Sequence, residues 1–271
     1  MCGIAGFSIH PDLEVDTSML VRMFIAGLAE RGEDACGFAW SDGVSPPTVV
    51  KQASPPHEFL SSVPIAVPST ARSAIVHVRD HTKGRPSHQG NNHPIRHGRI
   101  VGVHNGVIQN DDELFAQVGR ERALPGMSVD SEAIFMALDV AETHAAAFPM
   151  LVGSYAVAFY DDSLPRTLQV VRGRARPLVC CSGEGFTVFA STRHAIDFAT
   201  TAVGLVIDQA RDVPCGRLLT LADGVVQHTS RIRVRRFSEL PTMQYSPDHP
   251  NAALARQRAL GHGRDDEAQS A

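Results

Sequence analysis

The chain has 271 residues, of which 43% are hydrophobic and 20% are charged, and its formal net charge at pH 7 is −4. Such a chain is long enough to bury one sizeable core or two small ones. The slightly acidic balance gives no reason to expect nucleic acid or an anionic membrane surface as a partner. No apolar run approaches the roughly 18–20 residues of a membrane-spanning helix, and the start lacks the segments of a signal peptide. We therefore expect a cytoplasmic protein.

The alternation of apolar and polar residues predicts a sheet-rich core with helices packed outside it, an α+β architecture. Between residues 45 and 70 the chain is rich in Pro and Ser, and only a short helix near residue 59 is predicted there. The elements predict one domain over residues 2–240 and a polar tail over 241–271 that we expect to be disordered. The predicted strands span 2–9, 37–40, 74–78, 100–104, 154–159, 168–172, 178–181, 186–190, 214–222 and 225–236. The predicted helices span 17–29, 111–118, 130–145 and 193–200.

The five cysteines indicate a reduced protein. Their number is odd, no Cys-x-x-Cys pair occurs, and a vicinal pair rarely forms a structural disulfide. The vicinal pair lies in an apolar run, where core packing is the expected role. One thiol, at the start of the chain, remains of chemical interest. The cysteines are Cys2, Cys36, Cys180, Cys181 and Cys215.

The first six residues (MCGIAG) place Cys2 directly after the initiator methionine. If Met1 is removed, Cys2 carries a thiol and a free α-amino group on one residue. A thiolate is a strong nucleophile. An α-amino group, with an unperturbed pKa of roughly 7.7–8.0, can take the thiol proton and return it near neutral pH. The alternative from these residues alone is a small apolar residue in an edge strand.

Five further motifs follow this start in a fixed order. They are Arg31-Gly32-x-Asp34-x-x-Gly37, His77-x-Arg79-x-x-Thr82-x-Gly84, Asn91-x-His93-Pro94, His104-Asn105-Gly106 and Ser128-x-Asp130-Ser131-Glu132. Together with the start they resemble the class II glutamine amidotransferases, the N-terminal-nucleophile glutaminase domains of glucosamine-6-phosphate synthase and amidophosphoribosyltransferase. The resemblance covers roughly residues 2–220. It implies a four-layer αββα sandwich.

The resemblance implies a catalytic set of four residues. Cys2 would attack the side-chain carboxamide carbon of glutamine, with its own α-amino group as base and then acid. The Asn105 side-chain amide and the Gly106 backbone N–H would stabilise the oxyanion. Arg31 matches an arginine near the nucleophile. Without Cys2, Asn105-Gly106 would be read as a hairpin turn.

The resemblance also implies a set of substrate-binding residues. Arg79 and Thr82 match the clamp on the substrate α-carboxylate, for which a guanidinium fork is well shaped, and Gly84 belongs to the same loop. Asp130 matches the carboxylate that meets the α-ammonium group, although taken alone it reads as a residue at a helix N-terminus. His93 matches a loop lining the pocket, where we expect it to pack and to form hydrogen bonds rather than to transfer protons.

Two departures from the family pattern bear on how the site is covered. The sugar-synthase branch has a Trp-Ala pair after the pocket arginine, whereas Asp80 and His81 stand there in this chain, and Lys83 precedes Gly84. The aromatic lid of that branch has no obvious equivalent. The chain has no room for a sugar-isomerase or phosphoribosyltransferase half, so we expect L-glutamine as substrate, a separate ammonia-accepting synthase partner and no cofactor or metal. The sequence leaves a homo-oligomer open.

Three other interpretations remain at this point. A metal-dependent hydrolase is suggested by six histidines between His77 and His104, with His77 and His81 spaced like ligands, although the two straddle a predicted strand end. A regulator could bind glutamine without turnover, but such a site tends to lose its nucleophile. A hydrolase of another γ-glutamyl amide differs from a glutaminase only through the altered residues at 80–83.

Overall fold

Thirteen strands and six α-helices make up residues 2–235, which are the residues that the computed structural model describes. The strands are β1 (Gly3–Ile9), β2 (Ala35–Ser41), β3 (Thr48–Gln52), β4 (Ser73–Arg79), β5 (Ile95–His97), β6 (Ile100–Ile108), β7 (Gly153–Asp161), β8 (Leu168–Arg172), β9 (Val179–Gly183), β10 (Phe186–Ala190), β11 (Arg211–Asp212), β12 (Arg217–Ala222) and β13 (Val225–Arg231). The helices are α1 (Thr17–Gly27), α2 (Pro56–Ser62), α3 (Asp111–Val118), α4 (Glu132–Val140), α5 (His144–Ala147) and α6 (Arg193–Ala202).

The strands form two antiparallel sheets that face each other. Sheet A has the order β11-β9-β10-β1-β4-β2-β3, and sheet B the order β13-β12-β8-β7-β6-β5. An apolar layer that includes Ile4, Val103 and Phe189 lies between the sheets. A second layer, with Phe24 of α1, covers the outer side of sheet A, and a third, with Phe135 of α4, covers that of sheet B. This is the αββα sandwich, so the predicted fold is confirmed.

The pairing of three strands determines where the candidate site lies. β1 runs between β4 and β10, and Gly3 stands opposite Val78 of β4, which brings the chain start beside the end of β4. In the facing sheet, β6 pairs with β7 along its whole length. His77 of β4 reaches across, with its Nε2 atom 3.0 Å from the carbonyl oxygen of His104 in β6. The candidate groups of both sheets therefore meet at one end of the sandwich.

The structure corrects several of the predicted elements. β3, β5 and β11 were not predicted, because β3 lies in the Pro- and Ser-rich stretch and the other two have only three and two residues. The helix predicted over 130–145 ends at Val140, and α5 begins afresh after Thr143, whose side chain accepts a hydrogen bond from the Ala146 N–H. β6 continues through Asn105 and Gly106, so this pair lies in a strand and not in a hairpin turn.

The end of the predicted domain, 236–240, and the predicted tail, 241–271, lie outside the described residues. Within residues 2–235, no helix has both the length and the apolar character needed to cross a bilayer.

The Phe135 side chain provides a test of the layer beneath sheet B. It is fully buried on α4 and packs in the cluster that joins this helix to the sheet. We expect Phe135→Ala to lower the free energy of unfolding by about 3–5 kcal/mol, because a cavity adds to the lost burial. Urea unfolding measures this, with exposed Leu124→Ala as the control. A loss below about 1 kcal/mol would contradict the packing described.

Candidate active site

Cys2 immediately precedes β1, and its sulfur lies against the backbone that follows β4. The Sγ atom is 3.2 Å from the carbonyl oxygen of Asp80, to which it donates, and 3.4 Å from the Asp80 backbone N–H, which donates to it. Burial raises the pKa of the Cys2 thiol, while the Asp80 backbone contact and the charge of Arg79 act in the opposite direction. The thiol therefore needs a base to become a nucleophile near neutral pH.

Arg31 binds the backbone of Cys2. It follows α1 in a short 3-10 turn (Ala29–Arg31) and is buried. Its Nε atom donates to the Cys2 carbonyl oxygen at 2.9 Å, and its pKa is lowered by burial. This contact orients the backbone of Cys2, and none of the hydrogen bonds described for Arg31 reaches the sulfur.

Asn105 and Gly106 are carried to this end of the sandwich by β6. The Asn105 Nδ2 atom lies 3.5 Å from the Ser191 hydroxyl, which also accepts a hydrogen bond from the Ile4 backbone N–H at 3.0 Å. Ser191 therefore links the asparagine to the start of β1. Gly106 has a φ angle of 152°, and a Cβ there would collide with the carbonyl oxygen of Ser154 on β7. Only glycine fits this position.

Arg79 is buried at the end of β4, and its guanidinium is held by three hydrogen bonds. Nη1 donates to the Asn92 Oδ1 atom at 2.6 Å, and Nη2 donates to the carbonyl oxygens of Lys83 at 2.9 Å and Gly84 at 2.6 Å. Gly84 has a φ angle of 81°, and a Cβ there would press on the Val129 backbone. Thr82 is exposed on the same loop. These bonds fold residues 80–84 around the guanidinium.

Asp130 is buried just before α4 and faces the end of β6. Its Oδ2 atom accepts a hydrogen bond from the Ile108 backbone N–H at 2.7 Å. Burial raises the pKa of this carboxyl group to about 6, and the nearby Asp111 carboxylate adds to the effect. Arg79 lies close enough to feel its charge. The site therefore has a cationic and an anionic group at one pocket.

His93 is buried, and its ring stacks on that of His77 with centroids 4.1 Å apart. Burial lowers the pKa of both imidazoles, that of His77 to about 3, so both are neutral near pH 7. Among the described residues, neither ring nitrogen of His93 has a hydrogen-bond partner. The hydrogen bonds expected of His93 are therefore not formed among the described residues, because its ring stacks on His77, and its place in the pocket remains a prediction.

The two histidines that suggested a metal site have other partners. His77 faces the His104 carbonyl oxygen, and the His81 Nδ1 atom lies 2.7 Å from the Asp34 Oδ2 atom. Among residues 2–235, no group of three or more His, Cys, Asp or Glu side chains is arranged to hold a metal ion.

Two residues were not predicted from the sequence: Asn92, which bonds to Arg79, and Lys51, which bonds to the backbone of Asn92 and Pro94. Asn92 accepts from Arg79 and donates through Nδ2 to the Pro86 carbonyl oxygen at 2.7 Å. Lys51 of β3 donates to the carbonyl oxygens of Asn92 at 2.6 Å and Pro94 at 2.9 Å, and burial lowers its pKa to about 8. Asn92 lay inside a recognised motif and so carried a signal, whereas Lys51 lay in an unpredicted strand.

Comparisons with known proteins find relatives of this chain in sequence and in fold. Residues 77–198 match a family model described as a glutamine amidotransferase domain. Glutamine–fructose-6-phosphate aminotransferase (isomerizing) of Symbiobacterium thermophilum is 34% identical over 205 residues, covering 72% of this chain and 32% of the relative. The enzyme of that name from Gloeobacter violaceus is 31% identical over 251 residues, covering 88% and 37%. The chain thus spans about a third of the length of these relatives.

A solved structure is also similar. Glutamine phosphoribosylpyrophosphate amidotransferase from B. subtilis superposes with a TM-score of 0.68 at 21% identity, covering 86% of this chain and 50% of the other. At this identity the likeness concerns the fold.

The Asn92 side chain provides a test of how Arg79 is held. Asn92→Ala removes the acceptor of a buried guanidinium N–H, so we expect a loss of about 1–3 kcal/mol in the free energy of unfolding. Urea unfolding measures it, with exposed Gln117→Ala as the control. Equal stability of the two variants would contradict the described role of Asn92.

Proposed function

We propose that this chain, which carries a class II glutamine amidotransferase domain of the N-terminal-nucleophile type, hydrolyses the side-chain amide of glutamine and releases glutamate and ammonia. One observation carries the proposal. The Cys2 sulfur lies against the backbone directly after Arg79, and Ser191 ties the same end of β1 to Asn105. This arrangement supports Cys2 as the nucleophile, Asn105 as an oxyanion donor and Arg79 as the carboxylate clamp.

The chemistry requires that Met1 has been removed. The Cys2 α-amino group takes the thiol proton, and the sulfur attacks the glutamine Cδ atom to form a tetrahedral intermediate. The Asn105 side-chain N–H and the Gly106 backbone N–H stabilise its oxyanion. As the C–N bond breaks, ammonia leaves with the proton of the α-ammonium group. Water, deprotonated by the same amine, then attacks the thioester, which yields glutamate and restores the thiol.

The glutamine head group would be held by charges of both signs. A guanidinium has five N–H donors, and the three hydrogen bonds described for Arg79 use three of them. The remaining donors can meet the α-carboxylate. Asp130 would receive the α-ammonium group. Thr82, Gly84 and His93 remain proposed members of the pocket.

The fate of the ammonia is part of the proposal. The curated relatives are about three times as long as their match to this chain, and their names describe aminotransferases. We infer that the ammonia goes to a separate synthase partner.

A second candidate function rests on the loop after Arg79: Asp80 and His81 stand where the sugar-synthase branch has Trp-Ala, which favours a different γ-glutamyl amide as substrate.

The first test measures glutamate and ammonia release from L-glutamine, beside labelling by a glutamine analogue that alkylates Cys2. We expect Cys2→Ala to abolish turnover and labelling while glutamine still binds, because only the nucleophile is lost. Exposed Cys215→Ala is the matched control and should retain both. Intact mass should show active protein beginning at Cys2. Active protein that retains Met1 would refute the mechanism, and labelling without turnover would indicate a site that requires its partner.

A second test concerns the oxyanion. We expect Asn105→Ala to lower kcat on the order of 10²–10³-fold with little change in KM, because the donor acts on charge that develops in the transition state. Steady-state kinetics measures this, with exposed Gln109→Ala from the same segment as control. Equal effects on kcat and KM would argue against the oxyanion role.

A further inference from the structure

We propose that Lys83 and Arg122 are positioning residues that hold Arg79 and Asp130, the two ends of the amino-acid head-group pocket, at a fixed separation. The inference rests on the proposed function, since it assumes that Arg79 and Asp130 bind the α-carboxylate and the α-ammonium group. It adds two cations that the family resemblance did not assign. They form a continuous path of hydrogen bonds from one end of the pocket to the other.

Lys83 makes the first half of this path. Its backbone carbonyl oxygen accepts from Arg79 Nη2 at 2.9 Å. Its ammonium group donates to the Asp111 Oδ2 atom at 2.6 Å and to the Asp112 Oδ2 atom at 2.8 Å, both in the first turn of α3. One residue therefore ties the loop that surrounds Arg79 to a helix from another part of the chain.

Arg122 makes the second half. Its Nη2 atom donates to the same two carboxylates, at 2.8 Å to Asp111 and 2.7 Å to Asp112. Its Nη1 atom donates to the carbonyl oxygen of Val129, the residue before Asp130, at 2.6 Å. The guanidinium also lies over the Phe115 ring, 4.6 Å from its centroid. A planar fork with five donors can bond α3 and the segment before α4 at the same time.

The path of hydrogen bonds also affects the ionisation of Asp130. The Asp111 side chain is 4% exposed, and its charge opposes ionisation of Asp130, whereas Lys83 favours it. The other charged groups facing this region are Arg79, Arg122 and Asp112, with the buried Glu132 at the start of α4. The two cations bound to Asp111 offset the negative charge by which Asp111 adds to the raised pKa of Asp130. Only the ionised Asp130 attracts an ammonium group.

The path also holds in place the loop after Arg79, in which Asp80 and His81 stand. The Lys83 ammonium group bonds the loop to α3. Near the other end of the loop, the Asp34 Oδ2 atom accepts a hydrogen bond from the His81 backbone N–H at 2.7 Å and lies 2.7 Å from the His81 Nδ1 atom. The loop is thus held in place by charge at both ends and not by an aromatic cover.

The test compares Lys83→Met with Lys83→Arg, and uses Arg96→Met as the control for loss of a half-exposed ion pair, with Asp162. We expect Lys83→Met to raise KM for L-glutamine on the order of tenfold, equivalent to about 1.4 kcal/mol, with kcat little changed. Because Asp130 must be ionised, kcat/KM should fall as the pH drops through about 6 in the parent. In Lys83→Met this fall should occur at higher pH. Lys83→Arg should keep the parent profile, as should Arg96→Met.

A readout independent of turnover separates this inference from the proposed function. The Asp130 carboxyl is followed by NMR in ¹³C-aspartate-labelled protein, assigned by its loss in Asp130→Asn, and thermal melting checks that each variant is folded. We expect the Asp130 titration to move to higher pH in Lys83→Met and to stay near the parent value in Lys83→Arg. An unchanged titration and an unchanged KM would overturn the inference. A shifted titration in a chain that neither turns over glutamine nor is labelled by the glutamine analogue would overturn the proposed function instead.

Discussion

The antiparallel pairing of β1 with β4 is the constraint on which the rest of the site depends. Because Gly3 stands opposite Val78, the residue before β1 meets the backbone that leaves β4. A shift by one residue would turn every side chain of β1 to the other face. Ile4 would leave the layer between the sheets, and Cys2 would lose its place beside Asp80. The apolar pattern of a strand thus fixes the position of a reactive atom outside it.

Around that constraint the site is built from buried polar groups that bond to one another. Arg79 is bound to Asn92, His104 Nδ1 lies 2.8 Å from the Ser131 hydroxyl, and Glu132 receives the Ala123 N–H. Leaving such groups unpaired in the interior would be costly. Pairing them produces a rigid site whose donors need little rearrangement when charge develops on a substrate. The polar interior and the proposed catalysis therefore have the same physical basis.

The local alternation of the strands predicted a sheet-rich core with helices outside it, and the resemblance carried by the motifs implied the four-layer sandwich. The predicted strand ended at His104, whereas β6 continues through Asn105-Gly106, a pair typical of turns, because β7 pairs with it there. The sequence carried no sign that Lys83 meets Asp111, 28 residues away, since such a contact depends on how α3 packs. The half-buried β3, with Lys51, was missed because this short edge strand lies in the Pro- and Ser-rich stretch.

The stacked histidines between the sheets have a consequence for the behaviour of the whole domain in acid. Burial lowers the pKa of His77 and of His104 to about 3, and that of His93 well below its usual value. In the unfolded chain an imidazole titrates near pH 6.5. Below that pH the three imidazoles bind protons in the unfolded chain but stay neutral in the folded one. Unfolding is therefore accompanied by the uptake of as many as three protons, and the free energy of unfolding declines as the pH falls. We therefore expect these three imidazoles to begin to lower the stability of the fold below about pH 6.5.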